Sequence, residues 1–197
     1  MTVSGTCLVD YAPVLADLRI RVFREYPYLY DGSMAYEQEY LETYMASGLA
    51  MAVLVLDDET FKVVGASTGI PMSEETEEFR QPLVEAGFNT EALFYFGESV
   101  LLPEYRGQGV YREFFQRREQ YVVGLNQDGN RYTGMCFCAV ERPLNHPLRP
   151  QGYQPLDEIW QHFGYRQLDG LRMAFDWKDV DQVSETSHLM SYWIKAV

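Results

Sequence analysis

Apolar positions along the chain switch several times between helical and extended spacing, and proline or glycine marks most of the switches. Val14, Leu15, Leu18, Val22 and Phe23 recur at helical spacing behind Pro13, whose fixed φ suits the first residue of a helix, and Pro27 stops the pattern. After an aromatic loop over residues 26–32, Ser33 is placed to cap a second helix with Tyr36, Tyr40, Leu41, Tyr44 and Met45 along one side. Residues 50–56 and 62–70 predict the two strands of a hairpin around Asp57-Asp58-Glu59. An acidic stretch over 73–91 carries Phe79, Leu83, Val84 and Phe88 at helical spacing, with Gly87 near its end. It predicts a peripheral helix whose charges form a solvated face.

Residues 93–102 form a short, nearly continuous apolar run, the pattern of a strand covered on both faces, and Pro103 ends it. Val110, Phe114, Arg118, Tyr121 and Val122 then recur at helical spacing. A buried strand over 132–140, a proline-rich turn region over 141–155 and a short helix over 156–163 follow. Strands over 171–177 and 189–197, joined by a polar loop, close the chain. No repeat, low-complexity tract or linker divides it, and 197 residues suffice for one domain with a sizeable core. The order predicts an α/β (α+β) domain over 1–197, with a central mixed, mostly antiparallel sheet and helices on both faces.

Between the central strand and its helix lies Arg106-Gly107-Gln108-Gly109. The first amides of a helix have no intrahelical acceptor, and the helix dipole adds positive potential there. Glycines let a phosphate oxygen approach the backbone closely, and Arg106 adds a charge, so a pyrophosphate is the natural ligand. Two phosphate-binding turns are excluded by spacing. A P-loop requires Lys after the glycines, and a Rossmann turn requires a third glycine where Arg112 stands.

The run Val100-Leu101-Leu102-Pro103-Glu104-Tyr105-Arg106-Gly107-Gln108-Gly109-Val110 resembles the coenzyme A signature of the GNAT superfamily of N-acetyltransferases, whose core is [Q/R]-x-x-G-x-[G/A]. Tyr111 departs from it, because the last position is usually Gly or Ala. Trp160-Gln161-His162-Phe163-Gly164-Tyr165 is similar to the family's ending Y-x-x-x-G-[F/Y], with Trp160 at the tyrosine position. The resemblance implies a sheet splayed in the middle and acetyl-CoA as cosubstrate in the gap. It puts the pantetheine amides on Ser99 and Leu101. The pyrophosphate would lie on Arg106, Gly107, Gln108, Gly109, Val110 and Tyr111, and Asn145 is either a further cofactor contact or simply a turn-forming residue. A neutral amine attacks the thioester directly, so neither a metal nor a protein nucleophile is required.

That chemistry needs a base and an acid. Glu98, inside the apolar central strand, either has a structural hydrogen-bond partner or serves as the base. Glu141, just after the next strand, is its rival. An indole is not a useful acid, so Trp160 cannot protonate the thiolate, and Tyr111, Tyr153 or water takes that part. By family analogy Tyr28, Tyr30 and Asp31 wall the acceptor pocket, with Tyr26 beside them and Tyr192 and Trp193 opposite. The alternative is that these aromatics simply pack against the meander. The implied function is N-acetylation of a primary amine of a small molecule; a non-catalytic module binding CoA or acyl-CoA is the competing class.

Charge and composition narrow the partners. A net charge of −13 argues against nucleic acid. It suits a cationic acceptor, or serves solubility alone. The longest apolar run, residues 49–56, is far below the about 20 residues that cross a membrane, and no signal-peptide pattern opens the chain. Cytoplasm is the expected compartment, and the oligomeric state is open, a homodimer included. Three cysteines make no disulfide framework, and Cys136 and Cys138 share one strand face as reduced thiols. His146, His162 and His188 lack metal-ligand spacing.

Overall fold

In a computed structural model describing residues 1–197, the apolar runs assemble one eight-stranded sheet. The chain runs through β1 (Thr2–Ser4), α1 (Ala12–Phe23), α2 (Met34–Ala46), β2 (Met51–Leu56), β3 (Val63–Pro71), α3 (Glu77–Glu85), β4 (Leu93–Tyr95), β5 (Ser99–Leu101), α4 (Val110–Gln127), β6 (Gly134–Val140), α5 (Asp157–His162), β7 (Arg166–Trp177) and β8 (Thr186–Ala196). Strand order is β1-β2-β3-β4-β6-β8-β7, with β5 also paired to β3. Only the β4–β6 pair is parallel. No helix is long and apolar enough to cross a membrane.

Each face of the sheet buries its own core, because successive side chains on a strand point to opposite sides. Leu15, Leu18, Leu41 and Tyr44 of α1 and α2 meet Tyr95, Tyr192 and Ile194 on one face. Phe114 and Phe115 of α4 meet Phe94, Phe96 and Trp193 on the other. The Ser33 cap forms as the sequence predicts, its hydroxyl accepting the Tyr36 amide at 3.3 Å.

The central apolar run departs from the sequence reading in one decisive way: it is two strands. Leu93 to Tyr95 pair with Gly134 to Cys136 of β6, and the Phe96 amide makes the last link, to the Cys136 carbonyl at 2.8 Å. After the bulge Phe96-Gly97-Glu98 the chain stays with β3 instead, Ser99 opposite Ser67 and Leu101 opposite Gly65. The bulge requires glycine at its centre. A Cβ on Gly97 would stand 2.3 Å from the Tyr44 hydroxyl and 2.6 Å from the Thr68 hydroxyl. Strands β5 and β6 therefore diverge, and the sheet opens in its middle.

Other departures are smaller. β7 starts at Arg166, five residues before the predicted 171, across a register shift between Gln167 and Arg172 where Gly170 has φ +75°. The edge strand β1 is too short to show in the hydrophobic pattern. α3 buries Phe79 and Leu83, but Val84 is exposed. Glu75, just before α3, is buried at 3% exposure, so the acidic stretch is not wholly a solvated face.

Candidate active site

The divergence of β5 and β6 forms a cleft of about 320 Å³, walled by residues 96–99 on one side and 137–140 on the other. Tyr111, Phe115 and Arg118 of α4 and Trp160 of α5 line it as well. Backbone pairing aims one strand edge into it. The Leu102 amide bonds the Val64 carbonyl at 3.0 Å and the Thr68 amide bonds the Glu98 carbonyl at 3.1 Å. Antiparallel bonds alternate in direction along a strand, so Ser99 and Leu101 turn their amides and carbonyls away from β3, toward the cleft. Leu101 O accepts Arg106 Nε at 3.1 Å.

The glycine turn lies at the start of α4, with Gly107 at φ +78° and Gly109, its N-cap, at φ +81°. Both angles are ones that glycine adopts without a Cβ penalty. An ideal Cβ on either residue meets nothing within 4 Å, so the turn is an open cradle. The first internal bonds of α4 run from Arg112 and Glu113 to the Gly109 carbonyl, which puts the Val110 and Tyr111 amides among the helix's free donors. Arg106 does not aim its charge at this turn. Its guanidinium grips Glu25 at 2.8 and 3.2 Å. Gln108 is exposed on the turn. Asn145 is exposed on the 141–155 segment and does not line the cleft, whereas Leu144 and Arg149 do.

Of the two readings of Glu98, the structural one has a partner. Its carboxylate is buried and accepts Arg19 Nη1 at 2.7 Å, while Arg19 Nε bonds the buried Glu37. Glu141 lies at the cleft margin, partly exposed, and its carboxylate pairs with Arg172 at 3.0 Å rather than with the adjacent Arg142. Arg142 instead donates to the Pro27 and Tyr28 carbonyls at 2.7 and 2.5 Å and to Asp179, tying down the aromatic loop.

Tyr111 and Trp160, the two departures from the family signatures, meet. Trp160 Nε1 donates to the Tyr111 hydroxyl at 2.9 Å, which leaves the tyrosine's own proton available to another acceptor. Burial pushes the Tyr111 pKa up, so that proton stays on oxygen at neutral pH. Sequence spacing treated Arg118 only as part of a helical pattern. It is buried at the cleft floor, bonds the Phe114, Thr68 and Glu98 carbonyls at 3.3, 3.4 and 3.5 Å, and stacks over Phe96; burial lowers its pKa. Burial also pushes the Cys138 thiol well above its ordinary range, which leaves it inert as a nucleophile.

Behind the bulge a second cavity of about 70 Å³ adjoins the cleft at Phe23, Tyr28, Gly97 and Cys138. Tyr30, Tyr36, Tyr40, Tyr95 and Trp177 line it, with the Arg19 guanidinium 4.1 Å from the Tyr40 ring centre. Of the residues expected around an acceptor pocket, Tyr28 and Tyr30 line this cavity. Asp31 does not: it points away into ion pairs with Arg24 at 2.6 Å and Lys178 at 2.8 Å. Tyr192 also misses the cavity, because its buried hydroxyl is bound to the Phe79 carbonyl at 2.8 Å. Trp193 faces the opposite side of the sheet.

A mostly antiparallel sheet that splays beside a glycine turn and a helix N-terminus is the GNAT fold, and comparison with solved structures shows the same. Arabidopsis thaliana NAA60 in complex with acetyl-CoA matches with TM-score 0.60 at 12% identity, covering 100% of this chain and 98% of the other. An aminoglycoside 6'-N-acetyltransferase complexed with coenzyme A matches with TM-score 0.55 at 13% identity, over 100% and 96%. A mutant of the spermidine N-acetyltransferase SpeG from Vibrio cholerae matches with TM-score 0.56 at 9% identity, over 99% and 93%. No family model matches the chain, and no curated protein matches its sequence.

Proposed function

We propose that this chain is an acetyl-CoA-dependent N-acetyltransferase acting on the primary amine of a compact small molecule with an apolar or aromatic body. One observation carries the reading. The backbone edge of Ser99 and Leu101, unpaired with any strand on the cleft side, runs between the open glycine turn at Gly107–Gly109 and an aromatic cavity behind Gly97. Residues for each part of the cosubstrate fit along that line. The amides after Gly109 suit a pyrophosphate, and the β5 edge suits the amides of an extended pantetheine arm by strand addition. Acetyl-CoA supplies an activated acetyl thioester.

The chain's own residues do the rest. The tyrosine-lined cavity holds an ammonium or amine by its aromatic faces and excludes water from it. At about 70 Å³ it is small beside ordinary ligand pockets of roughly 300–1,000 Å³, which favours a compact acceptor over an aminoglycoside. Tyr111, oriented by Trp160, offers a proton toward the cleft and suits the departing thiolate. The net charge of −13 favours the approach of a cation.

Thiol release from acetyl-CoA tests the reading over a panel of phenethylamine, tyramine, spermidine and kanamycin. The expected result is faster turnover with the two arylalkylamines than with the larger polycations. Acetyl-CoA binding without thiol release on any amine would instead support a non-catalytic CoA-binding module.

A further inference from the structure

Both carboxylates singled out in the sequence are engaged by arginine, Glu98 through one oxygen by Arg19 and Glu141 by Arg172. A third carboxylate is differently placed. Glu75, following the short turn after β3, is buried at 3% exposure with no basic side chain bound to it. Its Oε2 accepts the Tyr44 hydroxyl at 2.9 Å and its Oε1 accepts the Thr76 amide at 3.1 Å. Tyr44 in turn lies 3.4 Å, hydroxyl to hydroxyl, from Tyr40, one turn earlier on α2. Tyr40 lines the aromatic cavity, and the Tyr44 hydroxyl abuts Gly97 at the point where cavity and cleft join. The two tyrosines stand four residues apart, which puts them on one helix face.

Burial raises the Glu75 pKa to about 7, and the Glu98 carboxylate adds to the effect. The groups facing Glu75 are Tyr40 and Tyr44 from α2, Arg19 from α1, Glu98 from the bulge, Tyr95 from β4, and Cys136 and Cys138 from β6. Arg19 is the only cation among them and is engaged by Glu37 and Glu98. A carboxylate that titrates near neutrality suits proton acceptance far better than one at its ordinary value.

We propose that Glu75 is the proton sink for the acceptor amine, reached through Tyr40 and Tyr44. An ammonium N–H proton passes to the Tyr40 oxygen, the Tyr40 proton moves to the Tyr44 oxygen, and the Tyr44 proton moves to Glu75. The amine ends neutral with a lone pair free to attack, Glu75 ends as the neutral acid, and both tyrosines are restored. Glu75 acts through the tyrosines and touches no substrate. The relay rests on the N-acetyltransferase reading, because it is the amine's proton that is moved.

The test is the pH profile of kcat with acetyl-CoA and phenethylamine, or the fastest amine of the panel. Wild type, Glu75→Gln, Tyr44→Phe and Tyr40→Phe are compared, with acetyl-CoA affinity measured for each as a folding control. All three variants should keep that affinity, lose roughly 10²-fold in kcat at pH 7, and shift the rising limb upward toward the amine's own pKa of about 10. Glu75→Asp should restore part of the rate. Wild-type turnover with unchanged profiles in Glu75→Gln and Tyr44→Phe overturns the relay and leaves the acetyltransferase reading standing. Absence of thiol release from wild type with every amine overturns both.

Discussion

Relative to wild type, Glu75→Gln should gain stability as pH rises. The variant keeps the shape and an oxygen for the Tyr44 hydroxyl, loses the acceptor for the Thr76 amide at a cost that does not vary with pH, and carries no charge to bury. In the wild type, burial raises the carboxyl's pKa from 4.5 to about 7. A raised carboxyl pKa means that, between those values, the native state retains a proton which the unfolded state has released. Wild-type stability therefore falls as pH rises through that window and levels off above it. At about 1.4 kcal/mol per pH unit, the window corresponds to about 3 kcal/mol. Urea unfolding of both proteins from pH 4 to pH 8 measures it directly, provided that the m-values agree. Glu75→Gln should gain about 3 kcal/mol on wild type between the two ends. A difference that stays constant across that range would rule out a buried, titrating Glu75, as would a variant that loses ground with pH. A cost of that size fits a carboxyl kept near neutrality for proton transfer.

Three further outcomes follow from the same contacts. Arg19→Met removes the one cation between the buried Glu37 and Glu98, and thermal or urea unfolding should show a loss of about 3–5 kcal/mol, the scale for a broken buried ion pair. Tyr111→Phe should lower kcat while calorimetry shows unchanged acetyl-CoA affinity, and Trp160→Phe should act in the same direction more weakly; normal turnover in Tyr111→Phe would assign the thiolate's proton to water. Gly97→Ala puts a methyl 2.3 Å from the Tyr44 hydroxyl. It should displace that hydroxyl from Glu75, and because the Tyr44 hydrogen bond holds the Glu75 pKa down, its loss should steepen the pH dependence of stability just described.

Local signals carried most of the architecture. Helical spacing behind Pro13 and Ser33, the glycine turn after Pro103 and the buried run before it sit where the hydrophobic pattern puts them. The bulge at Phe96-Gly97-Glu98 is masked because Phe94 to Phe96 and Val100 to Leu102 flank it closely enough to read as one nearly continuous apolar run. What requires glycine at its centre is a tertiary neighbour, the Tyr44 hydroxyl, which no local window contains. Glu75 is masked for the opposite reason: it stands in an acidic stretch whose other carboxylates are exposed, and its burial beside Tyr44 of α2 emerges only with the fold. Tyr192 and Trp193 were both set against the aromatic loop, yet neighbours on a strand face opposite ways. One of them had to miss, and Tyr192 misses too because its hydroxyl is bound to α3. Glu98 was legible as a buried carboxylate that needs a partner. Its partner, Arg19, lies 79 residues away in sequence and emerged only with the fold.

Whether the cleft beside β5 and the turn at Gly107–Gly109 hold acetyl-CoA is decided by calorimetric titration of acetyl-CoA into wild type and Gly109→Val. Gly109 has φ +81°, a conformation costly for a β-branched residue, so a valine there strains the turn that presents the first amides of α4. Saturable 1:1 binding to wild type and its loss in Gly109→Val are expected, with circular dichroism showing the same fold in both. Equal affinity in the two proteins, or no binding to wild type, would place the cosubstrate elsewhere or nowhere on this chain.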